Sequence, residues 1–135
     1  MSGSQRFEGE RTLMRIFIGE SDRCADGPYR GKPLYEGLLT LLRERGFAGA
    51  TVLRGIAGFG ASARVHTDRI LRLSLDLPIV VEVVDTEERI QDVLPVLDGM
   101  IGGGLITLER AHVILYRPSE SDDDAEAGSG DAAHP

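Results

Sequence analysis

Two glycine-rich stretches are the residues in this 135-residue sequence best suited to meet a ligand. The first, Gly58-Phe59-Gly60, opens a connection that reads GFGASARVHTDRILRLSLDL as far as Leu77. The second is Gly102-Gly103-Gly104. Glycine lets a backbone approach a bound molecule closely and present its N–H groups, which is how phosphate-cradling loops work. Each stretch also has an ordinary explanation. Two glycines around an aromatic can be a plain strand exit, and a single glycine commonly ends a helix in the left-handed conformation. Three in a row exceed what a helix cap needs. An anionic ligand would require countercharge, for which Arg54, Arg64, Arg69 and Arg72 are the candidates, although a solvated loop face is the ordinary reading of most of them.

Other chemistry-bearing residues are sparser. The stretch GESDRCADGPYRGKP gathers Glu20, Asp22, Arg23, Cys24, Arg30 and Lys32, a candidate second effector site. Cys24 with Asp22 and Asp26 has no histidine nearby in sequence and matches no structural-zinc spacing, so no metal is expected. His66 and His112 read as ordinary loop and strand histidines. No nucleophile elbow, triad-like spacing or paired-carboxylate motif stands out, and no enzymatic activity is expected.

The elements that must position these residues follow from hydrophobic patterning. Residues 13–19, LMRIFIG, form a short β-type run ending at glycine. Pro33 then stands at a helix start, and Leu34, Leu38, Leu41 and Leu42 recur at helical spacing until Gly46. Residues 50–57 and 78–84 are two further strands, the second opening on Pro78. Asp85 or Thr86 caps a second helix carrying Ile90, Val93, Leu94, Leu97 and Ile101, which Pro95 should kink. A last strand lies near 110–116. The order β-α-β-β-α-β places both helices on one face of a four-stranded antiparallel sheet, the ferredoxin-like α+β arrangement. In strand three, Ile79, Val81 and Val83 alternate with Val80, Glu82 and Val84. Both faces of that strand read as apolar while helices cover only one, so a second copy of the chain is expected against the other.

Composition narrows the function class. Hydrophobic residues make up 41% and charged residues 27%, and no apolar run has the roughly 20 residues of a membrane span. The absence of a signal-peptide core and the lone Cys24 place the chain in the cytoplasm. Of the net charge of −7, six units lie in residues 118–135, which contain no Lys or Arg. That segment reads as a disordered acidic tail, residues 1–11 as a flexible extension, and residues 12–117 as the one folded domain. A nearly neutral body with 5% aromatics argues against nucleic acid, for which stacking rings and a positive surface are needed.

Three stretches, GATVLRGIAGFGA, PIVVEVVDTEERIQDVLPVLDGM and IGGGLITLERAHVILY, resemble the uncharacterised bacterial branch of the PII-like proteins. So do GESDR after strand one, KPLYEGLL opening helix one, and RVHTDRILRLSLDLP before strand three; the likeness spans about residues 13–117. It implies a homotrimer that binds a small effector in clefts between subunits and contacts a partner through the loop between strands two and three. On this likeness Gly58 and Gly60 sit at the base of the signalling loop, with Phe59 between them, Glu82 is the acid on strand three, and Gly102 to Gly104 form the effector loop; Arg54 is added as the ligand's countercharge from its residue type alone. Arg64, His66 and Arg69 fall in the partner-binding loop. Candidate effectors are an adenine nucleotide (ATP, ADP or AMP) or a cyclic nucleotide.

The chain departs from well-studied PII proteins in ways that matter. Their nucleotidylated tyrosine and their Mg-ATP-holding glutamine have no counterpart in residues 58–77, and the lysine of their glycine-rich loop is missing from 102–105. Their arginine pair after strand four is reduced to Arg117. Two alternatives therefore stand beside the sensor: a cytoplasmic subunit of a membrane transporter or channel that binds no nucleotide, and a CutA-like metal-binding trimer dependent on Cys24.

Overall fold

The computed structural model describes residues 6–60 and 76–119. Its elements are β1 (Phe7–Gly19), α1 (Leu34–Glu44), β2 (Thr51–Arg54), β3 (Pro78–Asp85), α2 (Glu87–Met100) and β4 (Leu105–Tyr116). The strands form one sheet in the order β2-β3-β1-β4, so the expected ferredoxin-like arrangement holds. None of the helices among the described residues is long and apolar enough to cross a membrane.

The chain divides into two compact units, Arg11–Ala111 and the segments outside it. Within the first, the antiparallel β1–β3 register runs from Thr12 opposite Asp85 to Gly19 opposite Pro78. It places Met14, Ile16 and Ile18 beside Val83, Val81 and Ile79 on one face. Those six side chains join Leu34, Leu38, Leu41 and Leu42 of α1 and Ile90, Val93, Leu97 and Met100 of α2 in a single buried cluster. Each buried aliphatic side chain contributes on the order of 1.5–3 kcal/mol, which is why the helical spacing of these leucines and valines was a sound guide.

The opposite face carries Arg15, Phe17, Val80, Glu82 and Val84, with Leu53 of β2 opposite Val80. It is only half covered: Phe17 is 36% exposed, Val84 39% and Leu53 48%. Within the single chain the alternation in β3 thus marks one face covered by the helices and one left open, the face on which a second copy was expected. Across the open face Arg15 Nε donates to Glu82 Oε2 at 2.9 Å, and its Nη1 reaches Glu109 Oε2 at 3.2 Å.

Element boundaries moved in ways that pairing explains. β1 begins at Phe7, so residues 7–12, expected ahead of the strand, belong to it. In the other unit the strand continues with Glu8 and Glu10 exposed, and His112 Nδ1 lies 3.1 Å from Glu10 Oε2. β4 begins at Leu105, straight after the glycine turn, earlier than the expected start near 110. β2 is shorter than the expected 50–57, because after Arg54 the chain turns out at Gly55, whose N–H donates to Pro78 O at 2.8 Å. α2 runs on through Pro95 to Met100. Of its two candidate caps Thr86 is the one used, its Oγ1 accepting from Arg89 N at 3.1 Å. The expected tail and the loop residues Arg64, His66, Arg69 and Arg72 lie outside the described residues, apart from Pro118 and Ser119.

Candidate functional site

An antiparallel sheet in this order brings the end of β1, the exit from β2, the entry to β3 and the entry to β4 to one edge. There they enclose a cleft of about 430 Å³. Gly58, Phe59 and Gly60 form one wall; Gly103, Gly104 and Leu105 form another. Phe17, Ile18 and Gly19 of β1, with Asp76 and Pro78, complete it. Its volume lies within the ~300–1,000 Å³ typical of small-molecule sites. The two glycine segments meet within the chain, because strand order places both at this edge.

The glycines differ in what holds them there. At Gly104, φ is +156° and a Cβ would lie 2.6 Å from the Phe17 carbonyl oxygen, so this residue is glycine because β1 passes too close for anything larger. At Gly58 a Cβ would meet Pro78 Cγ at 3.1 Å. By contrast, a Cβ on Gly60 or Gly103 would meet nothing within 4 Å. The first pair is required by packing; the second pair is open backbone beside a cleft.

Asp76 ties the far root of the 58–77 connection into this edge. Its Oδ1 accepts from Ser21 N at 2.9 Å, and Glu20 N donates to Leu77 O at 2.8 Å. Asp22 Oδ2 in turn accepts from Gly19 N at 2.9 Å. Phe59 is 86% exposed and Leu105 56%. Among the described residues no Lys or Arg lines the cleft. Arg54, expected to supply countercharge, pairs instead with Glu20 at 2.6 Å.

Three of the expected ligand residues therefore lie elsewhere. Arg54 is engaged by Glu20, and Glu82 stands mid-strand on the open face, where its hydrogen bond holds the Arg15 guanidinium above its ordinary pKa. Gly102 is outside the lining, its nearest neighbour being Ala25. Conversely Phe17, Gly19, Asp76, Pro78 and Leu105 were not singled out from sequence. The signal that would have found them is topological: each stands at or next to a strand end that the order β2-β3-β1-β4 directs to the same edge.

The loop between β1 and α1 is folded inward. Cys24 is 3% exposed, its N–H donates to Lys32 O at 2.9 Å, and burial pushes its thiol pKa up. A Cβ on Gly37 would lie 2.5 Å from Cys24 Sγ, so α1 admits the loop only because it carries glycine there. Tyr29 donates to the carboxylate of Glu44, which raises the phenol pKa. Among the described residues no three His, Cys, Asp or Glu side chains gather as a metal site would require.

A second, smaller cleft of about 260 Å³ lies where the end of α1 meets the start of α2, lined by Arg45, Phe47, Thr86, Glu88, Arg89 and Asp92 among others. Beside it, Asp85 is 4% exposed and accepts from Ala48 N, Thr86 N and Arg89 Nη1, each at 2.8 Å. Burial alone would raise its pKa, but these hydrogen bonds and the Arg89 charge outweigh it and hold the carboxyl below the usual carboxylate range.

The same stretches recur in other proteins. A UPF0166 protein of Aquifex aeolicus is 42% identical over 105 residues, covering 78% of this chain and 94% of that protein. A UPF0166 protein of Methanocaldococcus jannaschii is 37% identical over 102 residues, covering 75% of this chain and 89% of its own length. A second Aquifex aeolicus UPF0166 protein is 36% identical over 104 residues. The profile of the family DUF190, described as Uncharacterized ACR, matches residues 11–113, which takes in both helices, the whole of β2 and β3 and both walls of the glycine cleft, so the chain belongs to that family.

Proposed function

We propose that the protein is a non-enzymatic PII-like sensor: a small effector occupies the glycine-walled cleft, and the 58–77 connection reports its presence to a partner protein. One observation carries this reading. Both roots of that connection, Gly58–Gly60 on one side and Asp76 with Pro78 on the other, line the same cleft as Gly103 and Gly104. A molecule bound there touches both ends of the segment that would speak to a partner, so its binding energy differs between any two arrangements of those roots. A cavity of small-molecule size with a glycine wall on either side supports the binding half of the reading.

The open sheet face supports assembly. Phe17, Leu53 and Val84 leave apolar surface uncovered on the side away from the helices, flanking the Arg15–Glu82–Glu109 ion network. A homotrimer that stacks these faces would bury it. The metal-binding alternative, by comparison, depends on a thiol whose pKa burial raises, away from the thiolate that a metal takes.

The test is hydrogen exchange on the full-length protein, with and without each of a panel of adenine and guanine nucleotides, nucleosides, cyclic nucleotides and bicarbonate. Protection at 58–60 and 76–78 with at least one compound is expected. Unchanged exchange at both roots across the panel would sink the sensor and favour a subunit that binds a transporter or channel without an effector. Sedimentation equilibrium measures the assembly separately, with three times the 14.6 kDa chain mass expected.

A further inference from the structure

The smaller cleft, about 260 Å³ between the end of α1 and the start of α2, is lined by charges of both signs. Arg45 closes α1, and Gly46, with φ +81°, turns the chain so that Phe47 enters the same lining. Phe47 packs against the core, and Val93 beside it is 1% exposed, so this part of the lining is apolar. From α2 come Glu88, Arg89 and Asp92. Glu88 and Asp92 stand four residues apart, which puts two like charges next to each other on one helix face. Among the described residues neither carboxylate forms an ion pair, and Arg45 forms none either.

The walls are fixed from behind. Asp85 accepts from Ala48 N, Thr86 N and Arg89 Nη1 together, tying the segment after α1 to the start of α2. That contact holds one edge of the Arg89 guanidinium, while the side chain stays 44% exposed and keeps further N–H donors for a ligand. A cleft shaped before binding loses less affinity to ordering.

Two cations and two carboxylates suit the opposite poles of one molecule. Guanidinium groups match a carboxylate through paired N–H donors, and an ammonium offers three N–H donors to the acids. A dianion would meet Glu88 and Asp92, and a dication would meet Arg45 and Arg89. A zwitterion satisfies both pairs. The volume, just under the ~300 Å³ at which drug-sized sites begin, suits a molecule of amino-acid size.

We infer that this cleft binds a free α-amino acid with an apolar side chain. Arg45 and Arg89 hold its carboxylate, Glu88 and Asp92 its ammonium, and Phe47 and Val93 meet its side chain. The site is separate from the glycine cleft and independent of the sensor reading there. The test is isothermal titration calorimetry of the full-length protein at physiological salt with the aliphatic and aromatic L-amino acids, glutamate and lysine. The tightest binder is then compared with the matching acid lacking the amino group and the matching amine lacking the carboxylate. At least one apolar amino acid is expected to bind, with both analogues at least tenfold weaker. Arg45→Gln and the double variant Glu88→Gln/Asp92→Asn should each weaken it at least tenfold. Arg45→Gln should also erase its advantage over the amine, and the double variant its advantage over the acid. All three side chains are exposed, so both variants should keep the wild-type Tm and their losses are not folding defects.

Either analogue binding as tightly as the amino acid overturns the inference. So does binding confined to glutamate or lysine, binding indifferent to both variants, or no binding by any compound.

Discussion

The two ends of the β1–β3 ladder have opposite characters. At the Thr12–Asp85 end, polar groups are matched to partners. Asp85 collects two backbone N–H groups and Arg89, Thr86 caps α2, and Thr12 Oγ1 donates to Glu87 Oε1 at 2.8 Å, a contact that lowers the Glu87 pKa. At the Gly19–Pro78 end the chain supplies glycine, exposed phenylalanine and an open cleft. One end spends its side chains on holding strands and helix together; the other leaves backbone and ring surface uncommitted. Stability and effector binding are thus assigned to opposite edges of one sheet, and each can be perturbed with little effect on the other.

Substitutions at the two ends should separate cleanly. The largest loss is expected from Asp85→Ala, about 3 kcal/mol by urea denaturation, since it leaves the Ala48 and Thr86 N–H groups without their acceptor and frees Arg89. Gly104→Ala should cost about 2 kcal/mol, through the clash with the Phe17 carbonyl and the left-handed strain; at Gly104, as at Gly58, the open end is packed as closely as the other. Thr86→Ala should cost about 1 kcal/mol, the usual worth of an N-cap. Gly60→Ala and Gly103→Ala should each stay within about 0.5 kcal/mol of wild type, as both sites have room for a methyl group, while altering ligand affinity. A large stability loss in either of that last pair would erase the contrast between the ends.

Acid unfolding sharpens the comparison further. The folded-state pKa of Asp85 is depressed, so its contribution is present above the ordinary carboxylate value of 3.8 and is lost as pH falls through the lower folded value. Urea midpoints measured from pH 7 down to pH 2 should fall more steeply for wild type than for Asp85→Asn in that acidic window.

How much of this was legible in the sequence differs between the same two ends. Helical spacing located α1 and α2, and the Gly46 stop is the left-handed residue with φ +81° that ends α1. The cap at Thr86 was narrowed to two neighbours but not decided, because Asp85 and Thr86 are both good caps and only the register, which turns Asp85 toward Ala48, separates them. At the cleft, the glycines were visible as residue types, but Asp76, Pro78 and Phe17 were not, since their proximity arises from strand order over a separation of some sixty residues. Arg54 and Glu82 stand away from the cleft lining for a related reason: charge type is readable in a sequence, whereas the Glu20 and Arg15 that engage them come from other strands and loops.

The inward fold of the β1–α1 loop gives the molecule a built-in clock. Cys24 is the single thiol of the chain and lies buried against Gly37, so an alkylating reagent reaches it only when the loop lifts away from α1. The rate at which the protein is modified therefore counts those openings, with no label introduced and no side chain exchanged.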